Sequence, residues 1–302
     1  MSGRAEGMGG TPVKDALDGA ITAISAAGAE TPRLDAEVLL AHVLGVTREQ
    51  LFIDRTLMVR GPAVRAFQNA VRRRSIEREP VAYIIGSRGF RRLELAIDQR
   101  ALIPRPETEL LVEVGLRLAH GAHVLDLCTG SGAVALALKD ERPDLSVVGS
   151  DVSAQALELA RANGERLGLE VRWREGDLLI GLDDEFDAIL ANPPYVTESE
   201  RAGLAPEILR HEPAQALFAG PDGLAVIGPL LQQLAGRPRL ALIALEVGAA
   251  QAPAVAELMA AAGFAAVRYE RDLAGIERVV VGERVRQRAG ASARRRTMER
   301  AK

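Results

Sequence analysis

Val124-Leu-Asp-Leu-Cys-Thr-Gly-Ser-Gly132 reads as a buried strand that runs into a tight glycine-containing turn and then into a helix. Outward from this stretch the pattern repeats. Candidate strands fall at 123–127, 145–150, 170–174, 186–191, 239–246, 264–270 and 277–282, and helical stretches at 132–141, 153–167, 223–235 and 252–262. Alternation of this kind predicts an α/β fold: a Rossmann-like, mostly parallel seven-stranded sheet with helices on both faces. Ligands of such sheets sit at the carboxyl ends of the strands.

Before residue 80 the chain reads as helices alone. Thr11-Pro12 and Thr31-Pro32 each offer a hydroxyl N-cap followed by Pro at the first helical position. Val13, Leu17, Ala20, Ile21 and Ile24 form one apolar stripe, and Leu34, Val38, Ala41 and Leu44 another. Thr47 is expected to cap a third, short helix. A fourth is expected over 62–79, with Val64, Phe67 and Val71 inward and Arg72, Arg73 and Arg74 outward. These elements make a small bundle over 11–79. Val81-Ala-Tyr-Ile-Ile and Leu93-Glu-Leu-Ala-Ile, separated by Gly86, read as a β-hairpin linker over 80–103. Leu102-Ile-Pro-Arg-Pro-Glu-Thr-Glu is a turn running into a helix and opens the larger domain, 104–283. Residues 1–10 read as a disordered end.

Apolar content of 48% and charged content of 26% describe a soluble globular protein. No apolar run approaches the ~20 residues that span a bilayer, and the first ten residues lack the apolar core of a secretory signal. One cysteine and four scattered histidines point to neither a disulfide framework nor a metal site. A cytoplasmic protein is expected. Net charge is −3, unevenly spread. Residues 284–302 carry eight basic side chains against Glu299, a net +7, which leaves −10 on the rest. An acidic body argues against broad contact with nucleic-acid backbone, so no DNA binding is expected. The basic tail reads as a disordered, solubilising end, with RNA or the ribosome as its alternative partner.

Gly130 and Gly132 let the backbone approach a ligand closely. A dinucleotide fold uses such a turn for pyrophosphate. Here the spacing lacks the third glycine, and Asp126 just before the turn would repel a phosphate and attract an ammonium. That favours the methionine end of S-adenosylmethionine. Asp151 at the tip of the second strand is placed to accept bonds from both ribose hydroxyls. Asp177 and Leu178, after the third strand, lie where an adenine edge would sit. Trp173 reads as a strand residue in or near the core, and His211 as a solvent-facing one.

Asn192-Pro193-Pro194-Tyr195 follows the fourth strand at the same rim. Two consecutive prolines cannot continue a ladder and fix the loop's shape. The Asn192 side-chain oxygen and the Pro193 carbonyl can each accept one N–H of a planar –NH2 group, while Tyr195 stacks on its face. Two fixed acceptors draw both hydrogens aside, free the nitrogen lone pair and stabilise the cation that forms on methyl transfer.

On these residues the chain resembles the PrmC/HemK protein-(glutamine-N5) methyltransferases. The matching segments are EPVAYIIG (79–86), LIPRPETELLVE (102–113), DLCTGSGAVALAL (126–138), FDAILANPPYV (186–196), EPAQALFAGPDGL (212–224), LEVGAAQ (245–251) and RDLAGIERVV (271–280). The resemblance implies a class I methyltransferase domain and an N-terminal helical domain that docks a class I peptide chain release factor. It implies methylation of the glutamine in that factor's Gly-Gly-Gln motif. It implies cofactor contacts from Asp126, Cys128, Thr129, Gly130, Ser131, Gly132, Asp151, Asp177, Leu178 and Asn192, and substrate contacts from Asn192, Pro193, Pro194 and Tyr195. Cys128 stands where the family usually has Gly, and Gly89 and Arg91 depart from its hairpin pattern. Two rivals share the cofactor motifs. A nucleic-acid adenine-N6 methyltransferase should carry a basic, aromatic-bearing face, and aromatics here are 3%. A non-catalytic scaffold should fail to bind the cofactor.

Overall fold

A computed structural model describes residues 10–284, apart from 55, 235, 236 and 238. The described residues divide into two compact units: one runs up to Gly89 and adds Glu94–Ile103 and Glu200–Ala214, and the other takes Phe90–Leu93, Pro104–Ser199 and Gln215 onward. The N-terminal end and the basic tail beyond Arg284 lie outside the described residues. No helix among those described is long and apolar enough to cross a membrane.

The larger unit holds seven strands: β1 (His123–Leu127), β2 (Ser146–Asp151), β3 (Arg172–Glu175), β4 (Ala188–Ala191), β5 (Leu242–Glu246), β6 (Ala266–Arg271) and β7 (Glu277–Glu283). They lie in the order β6-β7-β5-β4-β1-β2-β3. Strands β1 to β5 pair in parallel, and β7 runs antiparallel to β5 and β6. All four residues of β4 are buried, as a strand covered on both faces requires. Strand order reverses between β1 and β4, so the crevice for a ligand opens beyond Leu127 and Ala191, which are register partners.

The smaller unit contains α1 (Val13–Ala26), α2 (Pro32–Leu44), α3 (Arg48–Ile53), α4 (Pro62–Ser75) and α5 (Val81–Ile85). Ile24, Leu39 and Leu40 are fully buried in its core, each worth about 1.5–3 kcal/mol. Thr47 caps α3 in a capping box with Gln50. The other two caps differ from expectation. Thr11 pairs with Val59 in a two-residue strand, leaving Pro12 at the N-cap of α1. Thr31 occupies the N-cap of α2, but its hydroxyl donates to Asp35 Oδ1 at 2.9 Å instead of accepting from the backbone.

Two further readings are corrected. Val81–Ile85 is a short helix closed by Gly86 at φ +75°, and the hairpin pairs Ser87–Phe90 with Leu93–Ala96. A five-residue apolar run carries no period that separates strand from helix. Arg74 is buried rather than outward: it donates to Asp35 and Glu207 at 2.6 Å each, and Arg78 joins Glu207 at 2.7 Å. Two carboxylates offset the desolvation of its charge. Helical period marked α4's inner face but could not show that acids from α2 and from the short helix Pro206–His211 meet it there.

Candidate active site

The strand registers gather the sequence-predicted residues along one rim. Asp151 ends β2 opposite Glu175 of β3, so the turn 176–178 follows beside it. Leu127 pairs Ser150 on one side and Ala191 on the other. Ala191 pairs Leu245, so Glu246 ends β5 next to the start of the Asn192–Tyr195 loop.

On the half that carries the glycine turn, the turn is pinned largely through its own backbone groups. Gly130 N–H donates to Asp151 Oδ2 at 2.9 Å, and Ser153 N–H donates to Asp151 Oδ1 at 2.9 Å. Thr129 N–H donates to the Ser150 carbonyl at 3.0 Å, and Gly132 N–H to the Thr129 carbonyl at 2.8 Å. Asp126 is buried beneath the turn, accepting from the Thr129 hydroxyl and, at 3.0 Å, from Ala135 N–H at the start of α7 (Ala133–Glu141). Burial pushes its carboxyl up to about 7. Burial likewise raises Asp151. Ser131 is buried, and its carbonyl accepts from Asn163 at 3.1 Å.

Two turn positions show what the residue types are for. A Cβ on Gly132, at φ +85°, would meet Trp173 at 2.8 Å, and one on Gly149 would meet the same ring at 2.4 Å. Trp173 is thus a half-buried wedge under the turn, a role its sequence context did not reveal. Cys128 adopts φ +58°, the left-handed region where an L side chain is strained. Burial, then the charges of Asp151, Asp126 and Asp177, raise its thiol above the ordinary value, so it stays protonated. Leu178 also sits at positive φ, +54°, and Asp177 beside it is exposed.

The Asn192–Tyr195 half is held by side chains from elsewhere. Asn192 Nδ2 donates to Thr108 Oγ1 at 3.1 Å, which leaves its Oδ1 as the free acceptor. Thr108 is buried in the Arg105-Pro-Glu-Thr turn before α6 (Glu109–Leu116). The Tyr195 hydroxyl donates to Glu246 Oε1 at 3.1 Å, and burial raises its own pKa. Gln251 Nε2 donates to the Tyr195 carbonyl at 2.9 Å while its Oε1 accepts from Gly248 N–H at 2.8 Å. The Gly-Pro-Asp-Gly stretch backs the loop: a Cβ on Gly223, at φ +74°, would lie 2.2 Å from the Tyr195 carbonyl oxygen. Val196 bonds into the same segment through Leu217 O and Ala219 N.

Thr108, Gln251, Gly223 and Glu246 were not singled out from the sequence. The signal was available only as membership of quoted segments, since none carries a chemistry-bearing pattern alone. Arg91, a departure from the hairpin pattern, bonds Glu141 at 2.8 Å and also pairs with Glu113, within the larger unit. Arg284, grouped with the basic tail by charge, belongs to the folded body: its guanidinium lies 4.6 Å over Phe264 and donates to the Leu234, Arg237 and Ala262 carbonyls.

Comparison with known proteins bears on both units. Residues 15–86 match the PrmC N-terminal domain, and residues 106–227 match the methyltransferase small domain. The release factor glutamine methyltransferase of Mycolicibacterium smegmatis is 43% identical over 73% of this chain and 79% of its own length. That of Deinococcus radiodurans is 39% identical over 90% of this chain and 98% of its own. Among solved structures, the hMettl16 catalytic domain in complex with the MAT2A 3′UTR hairpin 6 shares the fold, with a TM-score of 0.53 at 16% identity over 74% of this chain and 82% of that one.

Proposed function

Because this chain belongs to the release factor glutamine methyltransferases, we propose that it methylates the side-chain amide nitrogen, N5, of the glutamine in the Gly-Gly-Gln motif of class I peptide chain release factors, in the cytoplasm, with S-adenosylmethionine as donor. The observation that carries the reading is the oriented amide of Asn192: Thr108 takes its Nδ2, so Oδ1 is presented as an acceptor.

The rim fits the donor. Nothing lies within 4 Å of the Cβ position on Gly130, so the turn offers open backbone to a ligand. Asp151 uses one lone pair of each oxygen on the chain itself, and the others remain for ribose hydroxyls. Asp126 and Asp151 suit a cationic, hydroxyl-bearing molecule and oppose a phosphate. Residues 128–132, Asp151 and the Asp177-Leu178 turn would hold it, and it would supply an electrophilic methyl.

The chain's own groups then prepare the nucleophile. An amide nitrogen is weakly nucleophilic because its lone pair is delocalised. Asn192 Oδ1 and the Pro193 carbonyl each accept one N–H, which favours pyramidal nitrogen and holds it in one orientation. The same acceptors stabilise the cation on nitrogen as the methyl is gained. The product then loses a proton to solvent, so no general base is needed. Pro193 and Pro194 keep the loop rigid, and Tyr195 covers the planar face. Mass spectrometry of a purified release factor, incubated with the protein and S-adenosylmethionine, should show one added methyl on that glutamine. An unmodified factor, or methylated adenine in a DNA control, would overturn the reading. We further propose that the basic tail beyond Arg284 contacts RNA or the ribosome. Its removal should then weaken retention on ribosomes and leave turnover on free factor unchanged.

A further inference from the structure

We propose that the turn between β6 and β7, residues 272–276, is a docking surface for the polypeptide that flanks the target glutamine, with Leu273 as its apolar anchor. The inference deepens the glutamine-methylation reading and rests on it.

Strand order puts this turn on the rim that carries the candidate site. β7 runs antiparallel to β5, and its Val279 lies level with Glu246 at the β5 tip. Glu277, where β7 begins, pairs with Arg271, where β6 ends. The turn therefore projects past the carboxyl end of β5, starting about 7 Å beyond the level of Glu246 at roughly 3.4 Å per residue. The turns assigned to the donor follow β1, β2 and β3, on one side of the Asn192–Tyr195 loop, and β5, β7 and β6 lie on the other. With neighbouring strands about 4.8 Å apart, β7 is roughly 10 Å and β6 roughly 14 Å from β4. A substrate chain whose glutamine enters the loop opposite the donor has this side of the rim to cross. About three or four extended residues span that distance.

The turn is a rigid frame. Asp272 Oδ1 accepts from Ala274 N–H and Ile276 N–H at 2.9 Å each, and its Oδ2 accepts from Arg278 Nε at 2.9 Å. Asp272 N–H donates to the Ile276 carbonyl and Gly275 N–H to the Asp272 carbonyl, both at 2.9 Å. The Arg271–Glu277 pair at 2.6 Å closes the base. The frame holds up Leu273, which is fully exposed. Scattered exposed apolar side chains are ordinary on protein surfaces. Leu273 differs in its place and its support. The bonds on either side of it fix the backbone, so little freedom is left to lose when a partner covers the side chain. None of those bonds uses the side chain at 273, so a polar residue would have closed the turn equally well. An apolar tip beside the path of a polypeptide fits an apolar side chain of that polypeptide, about three or four positions from the glutamine.

The test is steady-state kinetics of the full chain on a purified release factor at saturating S-adenosylmethionine. Leu273→Asp should raise KM for the factor at least about tenfold and Leu273→Ala roughly threefold. In both, kcat and cofactor Kd should stay within about twofold of wild type, because the lost contact serves ground and transition states equally. Melting temperature should not fall, since the side chain is exposed. Asp272→Ala keeps the leucine but loosens its frame, and should raise KM roughly threefold. A benzophenone amino acid in place of Leu273 should cross-link to the factor within about five residues of the target glutamine. The same probe in place of His120, exposed ahead of β1 at the opposite end of the strands, should not. Wild-type KM in Leu273→Asp, a fall in kcat as steep as the rise in KM, or cross-links far from the glutamine would overturn the inference. So would a changed oligomeric state on sedimentation with KM unaltered, which would assign the turn to a second copy of this chain. A wild type that leaves the factor unmethylated would refute the substrate reading itself; with the wild type active, failure falls on the turn alone.

Discussion

The two halves of the rim are built by opposite means. The turn at 128–132 is held by hydrogen bonds from its own backbone, to Asp151 and to Ser150, with Asp126 beneath it. The Asn192–Tyr195 loop is held by side chains that are 84, 51 and 56 residues away: Thr108, Glu246 and Gln251. A nucleoside donor is recognised largely through its shape and hydroxyls, which glycine backbone and one carboxylate at a strand tip can meet. An amide nitrogen must be made reactive, which needs an acceptor whose direction is fixed by a further layer of side chains. If this contrast is right, damage on one half should show in cofactor binding, and damage on the other in turnover.

The largest effect is expected at Asn192. Asn192→Ala removes one of two acceptors while the Pro193 carbonyl stays, and kcat should fall about 10²–10³-fold, roughly 3–4 kcal/mol, with cofactor Kd changed far less. Asn192→Asp keeps an acceptor but places a charge near the donor's sulfonium and should also be impaired. An alanine variant that loses cofactor affinity as steeply as turnover would erase the distinction between the halves.

Asp151→Ala is the converse. It should cost on the order of 2–4 kcal/mol in S-adenosylmethionine affinity by calorimetry, through lost ribose hydrogen bonds. It also frees the Gly130 and Ser153 N–H groups, so a smaller drop in melting temperature should accompany it. An unchanged Kd would remove Asp151 from the cofactor half.

Next in size is Gly223→Ala. Its Cβ would need to sit 2.2 Å from both the Tyr195 carbonyl oxygen and Gln251 Nε2, at φ +74°. Displacing that lock should lower kcat about tenfold and stability by roughly 1–3 kcal/mol, with cofactor Kd preserved. Full turnover in the folded variant would show that the backing segment does not set the loop's position.

The same contrast explains what could be read in advance. The sheet was legible because alternation of strand and helix is written in period and length, and β1 with its turn is contiguous in sequence. The place of Asp151 at the end of β2 was legible because the strand before it carries a run of buried, mostly apolar positions that stops there. Thr108, Glu246 and Gln251 were not, because a lone threonine in a proline turn or a glutamate ending an apolar strand has no periodic signature. They acquire meaning only when β4 pairs with β5 and brings Glu246 beside Asn192. Arg74 failed for a similar reason, since helical period gives a face and not the partners that face will meet. Val81–Ile85 failed because five apolar residues are too few to carry a period.

The smallest effect is expected at Cys128, and its smallness is informative. The residue stands at φ +58°, where an L side chain costs roughly 1–2 kcal/mol. Glycine would relieve that strain. Against this, glycine loses more freedom on folding, by about 0.5–1 kcal/mol, and gives up the packing of the thiol against the core of the larger unit. The opposing contributions nearly cancel, so Cys128→Gly should change stability by less than about 1 kcal/mol and cofactor Kd by less than about threefold. Valine tests the same backbone from the other side: branching at Cβ makes the left-handed region worse, and Cys128→Val should lose about 2 kcal/mol or more. Thermal melts of both, with calorimetry on the glycine variant, decide. Large destabilisation by glycine would mean that the thiol anchors the turn. That would make the turn depend on one of its own side chains, and the division between a half held through its own backbone N–H groups and a half held by distant side chains would fail where it is most exposed.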